Sequence, residues 1–117
     1  MLAGIARVTA WLLLAAYTVL LVWLSLREPS AGGQPPGVDK LYHFLAYGGL
    51  MVLLVAAMGM ERMWRAFLVA SIFGFVMELA QATLSAVREP SLLDGAANMT
   101  GAGVAGIFII LIGRLRA

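Results

Sequence analysis

Four apolar stretches, each about long enough to cross a bilayer, leave this chain few ways to fold. They run from about Val8 to Leu26, Leu41 to Met60, Ala66 to Val87 and Gly95 to Gly113. A helix of about 20 mostly apolar residues covers the roughly 30 Å hydrocarbon layer. Lipid offers the backbone no hydrogen bonds, so a span must be a helix or part of a closed barrel. The stretches show no alternating pattern, and a chain of 117 residues without one does not close a barrel. The expected fold is an all-α integral membrane protein: one four-transmembrane-helix bundle over residues 1–117.

Composition closes the soluble alternative. Hydrophobic residues make up 62% of the chain and charged residues 12%, whereas soluble chains are nearer half and a quarter. Too few polar residues remain to coat a water-soluble core. The net charge is only +2, and the eight basic residues sit at segment ends. They read as membrane flanks, and nucleic acid is excluded as a partner. Cysteine is absent, which removes disulfides, thiolate nucleophiles and sulfur-ligated metals. The first stretch is read as a retained helix. Its apolar run of about 19 residues exceeds the usual 7–15 of a signal peptide, and no A-x-A-like cleavage site follows.

Proline punctuates two of the connections. Arg27-Glu28-Pro29-Ser30 and Arg88-Glu89-Pro90-Ser91 share four letters, a repeat read as chance, and Ala31 to Gly37 is a Gly/Pro-rich linker. Basic flanks set the orientation. Arg7, Arg62, Arg65, Arg114 and Arg116 fall on one side, and Arg27, Lys40 and Arg88 on the other. Five against three puts both termini in the cytoplasm, with Glu28, Asp39, Glu89 and Asp94 on the outer side. Trp23 and Tyr42 then fall near the outer interface, and Trp11 and Trp64 near the inner one.

Polar residues inside or beside the spans gather at the outer end. Asp39, His43 and Tyr47 are spaced by four and share a helix face, with Lys40 beside them. Glu78 and Gln81 share a face of the third span, and Asp94 and Asn98 one of the fourth, with Arg88 between. In hydrocarbon such residues must turn inward and meet one another. Glu78 falls about 14 Å below Val87, the expected end of its span, and must pair, protonate or face water there. Contact with His43, about 6 Å below Asp39, then needs helix tilt or the reach of Gln81. Each residue also has a plainer reading. Asp39 and Asp94 stand where helices begin and suit N-caps. Tyr47 suits packing, Gln81 and Asn98 suit interhelical hydrogen bonds, and Arg88 suits an interface anchor or a partner for Asp94 or Glu78. Small residues support close packing of spans two to four: Ala97, Gly101 and Ala105, Ala70 and Gly74, and Gly48 with Gly49. The first span carries no charge inside the membrane and is expected outside, facing lipid.

The run Asp39-Lys40-Leu41-x-His43-Phe44-x-x-Tyr47, then Glu78-x-x-Gln81, Arg88 and Asp94-x-x-x-Asn98-x-x-Gly101, resembles the VanZ-like family. The resemblance covers roughly Asp39 to Gly106. It implies a multi-pass protein of the bacterial inner (cytoplasmic) membrane and cell envelope, in a family whose name-giving member is linked to low-level resistance to teicoplanin, hence to glycopeptide resistance. It also implies that Asp39, Lys40, His43, Glu78, Gln81, Arg88, Asp94 and Asn98 are signature positions. It supplies no mechanism and no cofactor.

Three functions are compatible with these residues. The first is a binding or modulating protein for an envelope lipid or lipoglycopeptide, with Asp39, Lys40, Tyr47, Gln81, Arg88 and Asn98 holding the ligand. The second is a membrane-embedded enzyme on a lipid-linked envelope substrate. His43, Glu78 and Asp94 would be its acid, base or metal-holding groups, and a divalent cation on Asp39, His43, Glu78 and Asp94 is one variant. The third is a small proton-coupled exporter acting as a dimer, with Glu78 as proton carrier. Membrane lipid is a partner in all three, and self-association is compatible with each.

Overall fold

The computed structural model describes residues 1–28, 32–86 and 88–117. Pro29, Ser30 and Ala31, where a proline stop and the start of the linker are expected, lie outside the described residues, as does Val87. Four long helices make up the chain: α1 Leu2–Leu26, α2 Val38–Met58, α3 Met63–Leu84 and α4 Leu92–Leu115, with a 3-10 turn at Met60–Arg62 between α2 and α3. All four are long and apolar enough to cross a membrane. Among the described residues there is no strand. Large apolar side chains such as Leu13, Val19, Phe75 and Phe108 point outward, each more than half exposed. Such surface suits lipid and would drive aggregation in water.

All four helices start earlier than the apolar stretches suggest, because polar residues are tolerated in a first turn. Thus α2 begins at Val38, before Asp39 and Lys40, and α4 at Leu92, before Asp94. Neither aspartate is the N-cap. Gly37 holds that place in α2 without a side-chain bond, and Ser91 holds it in α4, its hydroxyl accepting from the Asp94 backbone N–H at 3.2 Å. Asp39 and Asp94 lie in the first turns instead, where a carboxylate complements the helix dipole. Between α2 and α3 the backbone turns at Gly59, whose φ of 101° only glycine adopts easily. Arg7 caps the end of α2, donating from Nε to the Ala57 carbonyl (3.2 Å) and from Nη2 to that of Met58 (3.1 Å).

Contacts between helix ends show an up-and-down bundle with its long axis spanning 48 Å. The end of α1, the start of α2, the end of α3 and the start of α4 meet at one end, the site end. The chain termini lie at the other. The α2–α4 seam is the most extensive interface. It is close because Gly101 of α4 sits against the α2 backbone, where a Cβ would run into the Phe44 carbonyl oxygen. Small residues thus let two backbones touch, which supplies the dispersion contacts that hold helices together in lipid. Ala66 and Ala70 of α3 and Ala102 of α4 are fully buried around Leu50, Met51 and Leu54 of α2. Gly49 does not join this packing: it faces α1, against the Tyr17 hydroxyl. Most of α1 is exposed, as expected, yet Ala10, Leu14 and Leu21 are buried and Tyr17 donates to the Ala46 carbonyl at 2.6 Å.

Candidate functional site

Because α2 starts at Val38, its first three turns place Lys40, His43 and Tyr47 at the site end beside α4. Lys40 Nζ lies 2.6 Å from Asp39 Oδ2 and 2.5 Å from Asp94 Oδ1, tying α2 to α4. One turn on, His43 Nδ1 meets Asn98 Oδ1 at 2.9 Å. An amide oxygen only accepts, so Nδ1 carries the proton and a neutral ring keeps its free electron pair on Nε2. Nε2 is 3.8 Å from Asp94 Oδ2, and Nδ1 is 3.8 Å from Glu78 Oε1. One ligand atom each from His43, Glu78 and Asp94 falls within 4.8 Å of the others. Three helices therefore bring an imidazole and two carboxylates to one point.

Glu78 sits shallower than the expected end of α3 suggests. The helix stops at Leu84, where Ser85 turns extended, so Glu78 is only about 9 Å from the helix end. His43 lies about as far from the start of α2, and the two meet without help from Gln81. Glu78 is 7% exposed and Asn98 1%, while Asp94 is half-buried. The Asn98 Nδ2 has no hydrogen-bond partner among the described residues and packs against Gly74 of α3. Tyr47, 2% exposed, packs its ring against Phe73 with centroids 6.2 Å apart.

Gln81 and Arg88 both turn to α1. Gln81 Nε2 donates to the Ser25 carbonyl at 2.8 Å and Arg88 Nη1 to the same oxygen at 3.0 Å. That carbonyl lies in the last turn of α1, where helix carbonyls lack intrahelical donors. Arg88 pairs with neither Asp94 nor Glu78, and no carboxylate among the described residues lies within ion-pair distance of it.

Beside these residues a cavity of about 1030 Å³ opens at the site end, about the upper size of small-molecule sites. Asp39, His43, Tyr47, Gln81, Arg88 and Asp94 line it, with Tyr17, Leu21 and Leu24 of α1 forming an apolar wall. Glu78, Asn98 and Lys40 are not part of the lining. They act through His43 and Asp94, and Lys40 is engaged by two carboxylates. The cationic donors facing the cavity are thus Arg88 and Arg27, the latter with its guanidinium 5.4 Å from the Trp23 ring centroid. Tyr17 and Ser25 belong to the site although their residue types gave no sign of it: one tyrosine in an apolar run has no periodic signal, and Ser25 acts through its backbone. The arrangement offers an anion donor at Arg88, an acid–base group at His43 and a cation cradle between His43 and the two acids. No family model matches the chain, and no curated protein or solved structure matches it.

Proposed function

We propose that this chain is a multi-pass protein of the bacterial cytoplasmic membrane that binds an amphiphile with an anionic headgroup, an envelope lipid or a lipoglycopeptide. Both termini lie in the cytoplasm, and the site end faces outward. The resemblance to VanZ-like proteins and the five-to-three bias of basic flanks support this placement. The observation that carries the ligand class is the cavity itself. It joins a wall of Leu21 and Leu24, suited to an acyl chain, to Arg88, whose guanidinium has no carboxylate partner among the described residues. Guanidinium is a good donor to phosphate and carboxylate.

The test is binding to the full chain in nanodiscs, followed by native mass spectrometry with teicoplanin, phosphatidylglycerol and phosphatidylcholine. The reading predicts saturable retention of an anionic amphiphile over phosphatidylcholine, weakened about tenfold by Arg88→Gln. Equal retention of both phospholipids with no teicoplanin bound would contradict it.

A second reading, a membrane-embedded enzyme on a lipid-linked substrate, is favoured by the meeting of His43, Glu78 and Asp94. It predicts a product that Glu78→Gln abolishes while leaving lipid retention intact. An unchanged bound lipid after prolonged incubation with wild type counts against it. The exporter reading gains no support, since α1 carries no carboxylate.

A further inference from the structure

We propose that His43, Glu78 and Asp94 hold a divalent cation of the oxygen-preferring kind, such as Mn²⁺, with Asn98 setting the orientation of the imidazole. The inference goes beyond the ligand reading and does not need it.

The first support is a placement of acceptors that lacks something between them. With Nδ1–H donated to Asn98 Oδ1, the Nε2 electron pair of a neutral ring faces Asp94 Oδ2 at 3.8 Å, and Glu78 Oε1 flanks the ring at 3.8 Å. Both separations are too long for hydrogen bonds. The Nε2–Asp94 distance suits two ligands that share an ion: two atoms each about 2.1 Å from a cation lie about 3 Å apart at a right angle and about 4.2 Å apart across it. All three ligand atoms fall within 4.8 Å of one another, so the set closes with small side-chain shifts.

The second support is Asn98. It is 1% exposed, and its Nδ2 has no partner among the described residues. A buried amide kept with one end unsatisfied is costly, and here it is spent on a single bond to the ring. Metal-binding histidines are held in this way, by an acceptor on the nitrogen that does not coordinate.

Charge points the same way. Asp39, Glu78 and Asp94 bring three carboxylates against the one ammonium of Lys40, leaving two negative charges. A divalent cation cancels both. The donor set, two carboxylates and the single histidine of a chain without cysteine, suits Mn²⁺ or Mg²⁺ better than softer metals.

Mn²⁺ serves as the probe. The full chain, stripped with chelator and placed in phosphatidylcholine nanodiscs, is titrated while free Mn²⁺ is read by electron paramagnetic resonance. One ion per chain is expected. His43→Gln, Glu78→Gln and Asp94→Asn each weaken binding by about tenfold or more, Asn98→Ala weakens it less, and Glu61→Gln leaves it unchanged. Should a variant fail to fold, wild type alone still decides, because bound Mn²⁺ must broaden the ring resonances of its one histidine at low ratios of ion to protein. Three outcomes overturn the proposal: no saturable Mn²⁺ uptake by wild type, Zn²⁺ uptake without Mn²⁺ uptake, or Mn²⁺ uptake indifferent to His43→Gln. Binding of Mn²⁺ by a chain that retains no anionic amphiphile leaves the metal site standing and removes the ligand reading.

Discussion

The two ends of the bundle each place an arginine on the last turn of a helix, and the arginines differ in what is left over. At the end that carries the chain termini, Arg7 gives Nε and Nη2 to the Ala57 and Met58 carbonyls, capping α2. The other charges near that end, Glu61, Arg62, Arg65, Arg114 and Arg116, are exposed, and Glu61 and Arg62 make a loose 4.0 Å pair. At the site end, Arg88 gives only Nη1 to the Ser25 carbonyl, which Gln81 already satisfies. The residue also lines a cavity. Charge at the first end completes helix termini or meets solvent. Charge at the second exceeds what the helices need, and the excess faces a shared space. Surplus polar capacity, not polarity itself, is what separates a site from a cap.

The largest effect is expected at the seam that builds the site end. Gly101→Ala forces a methyl onto the Phe44 carbonyl and should lower the unfolding free energy by about 3 kcal/mol, read by chemical unfolding in detergent. Gly103→Ala, whose methyl would sit 3.7 Å from Phe67, should be neutral or stabilising by up to about 1 kcal/mol. Equal effects would mean that α2 and α4 do not touch at Gly101. A smaller change separates the arginines. Arg88→Gln should weaken retention of an anionic amphiphile about tenfold, about 1.4 kcal/mol, with little loss of stability. Arg7→Ala should do the reverse, costing about 1 kcal/mol of stability through its hydrogen bonds while retention stays constant. If both variants move the same quantity, the two ends do not differ in kind. The smallest effect is expected from Glu61→Gln, less than about 0.5 kcal/mol in the same unfolding assay, as for other exposed ion pairs.

The helices were legible because about 20 apolar residues in a row admit few other forms. The convergence of His43, Glu78 and Asp94 was legible too, since polar groups on apolar helices have only one another to turn to. What escaped the sequence lay in helix ends and backbone atoms. Glu78 looked too deep because nothing near Leu84 marks a stop; the first proline beyond it is Pro90. Asp94 looked like a cap although Ser91-Leu92-Leu93-Asp94 carries the capping pattern that names Ser91 instead. The role of α1 was hidden for another reason. Its contribution is a tyrosine hydroxyl bonded to the Ala46 carbonyl and a carbonyl at Ser25, and neither disturbs an apolar pattern. Arg88, read as an interface anchor or as a partner for Asp94 or Glu78, pairs with neither acid, because a free helix carbonyl competes with a carboxylate and is invisible in residue types.

The chain has a single histidine, so ¹⁵N-labelled histidine gives one imidazole signal pair from the centre of the site. Solid-state nuclear magnetic resonance of this ring in nanodiscs asks directly whether α2, α3 and α4 meet there. Each of Glu78→Gln, Asp94→Asn and Asn98→Ala should shift the ring nitrogens, with Asn98→Ala acting chiefly on Nδ1, while Arg7→Ala leaves both in place. Ring nitrogens that ignore the first three substitutions would contradict a common site built from three helices.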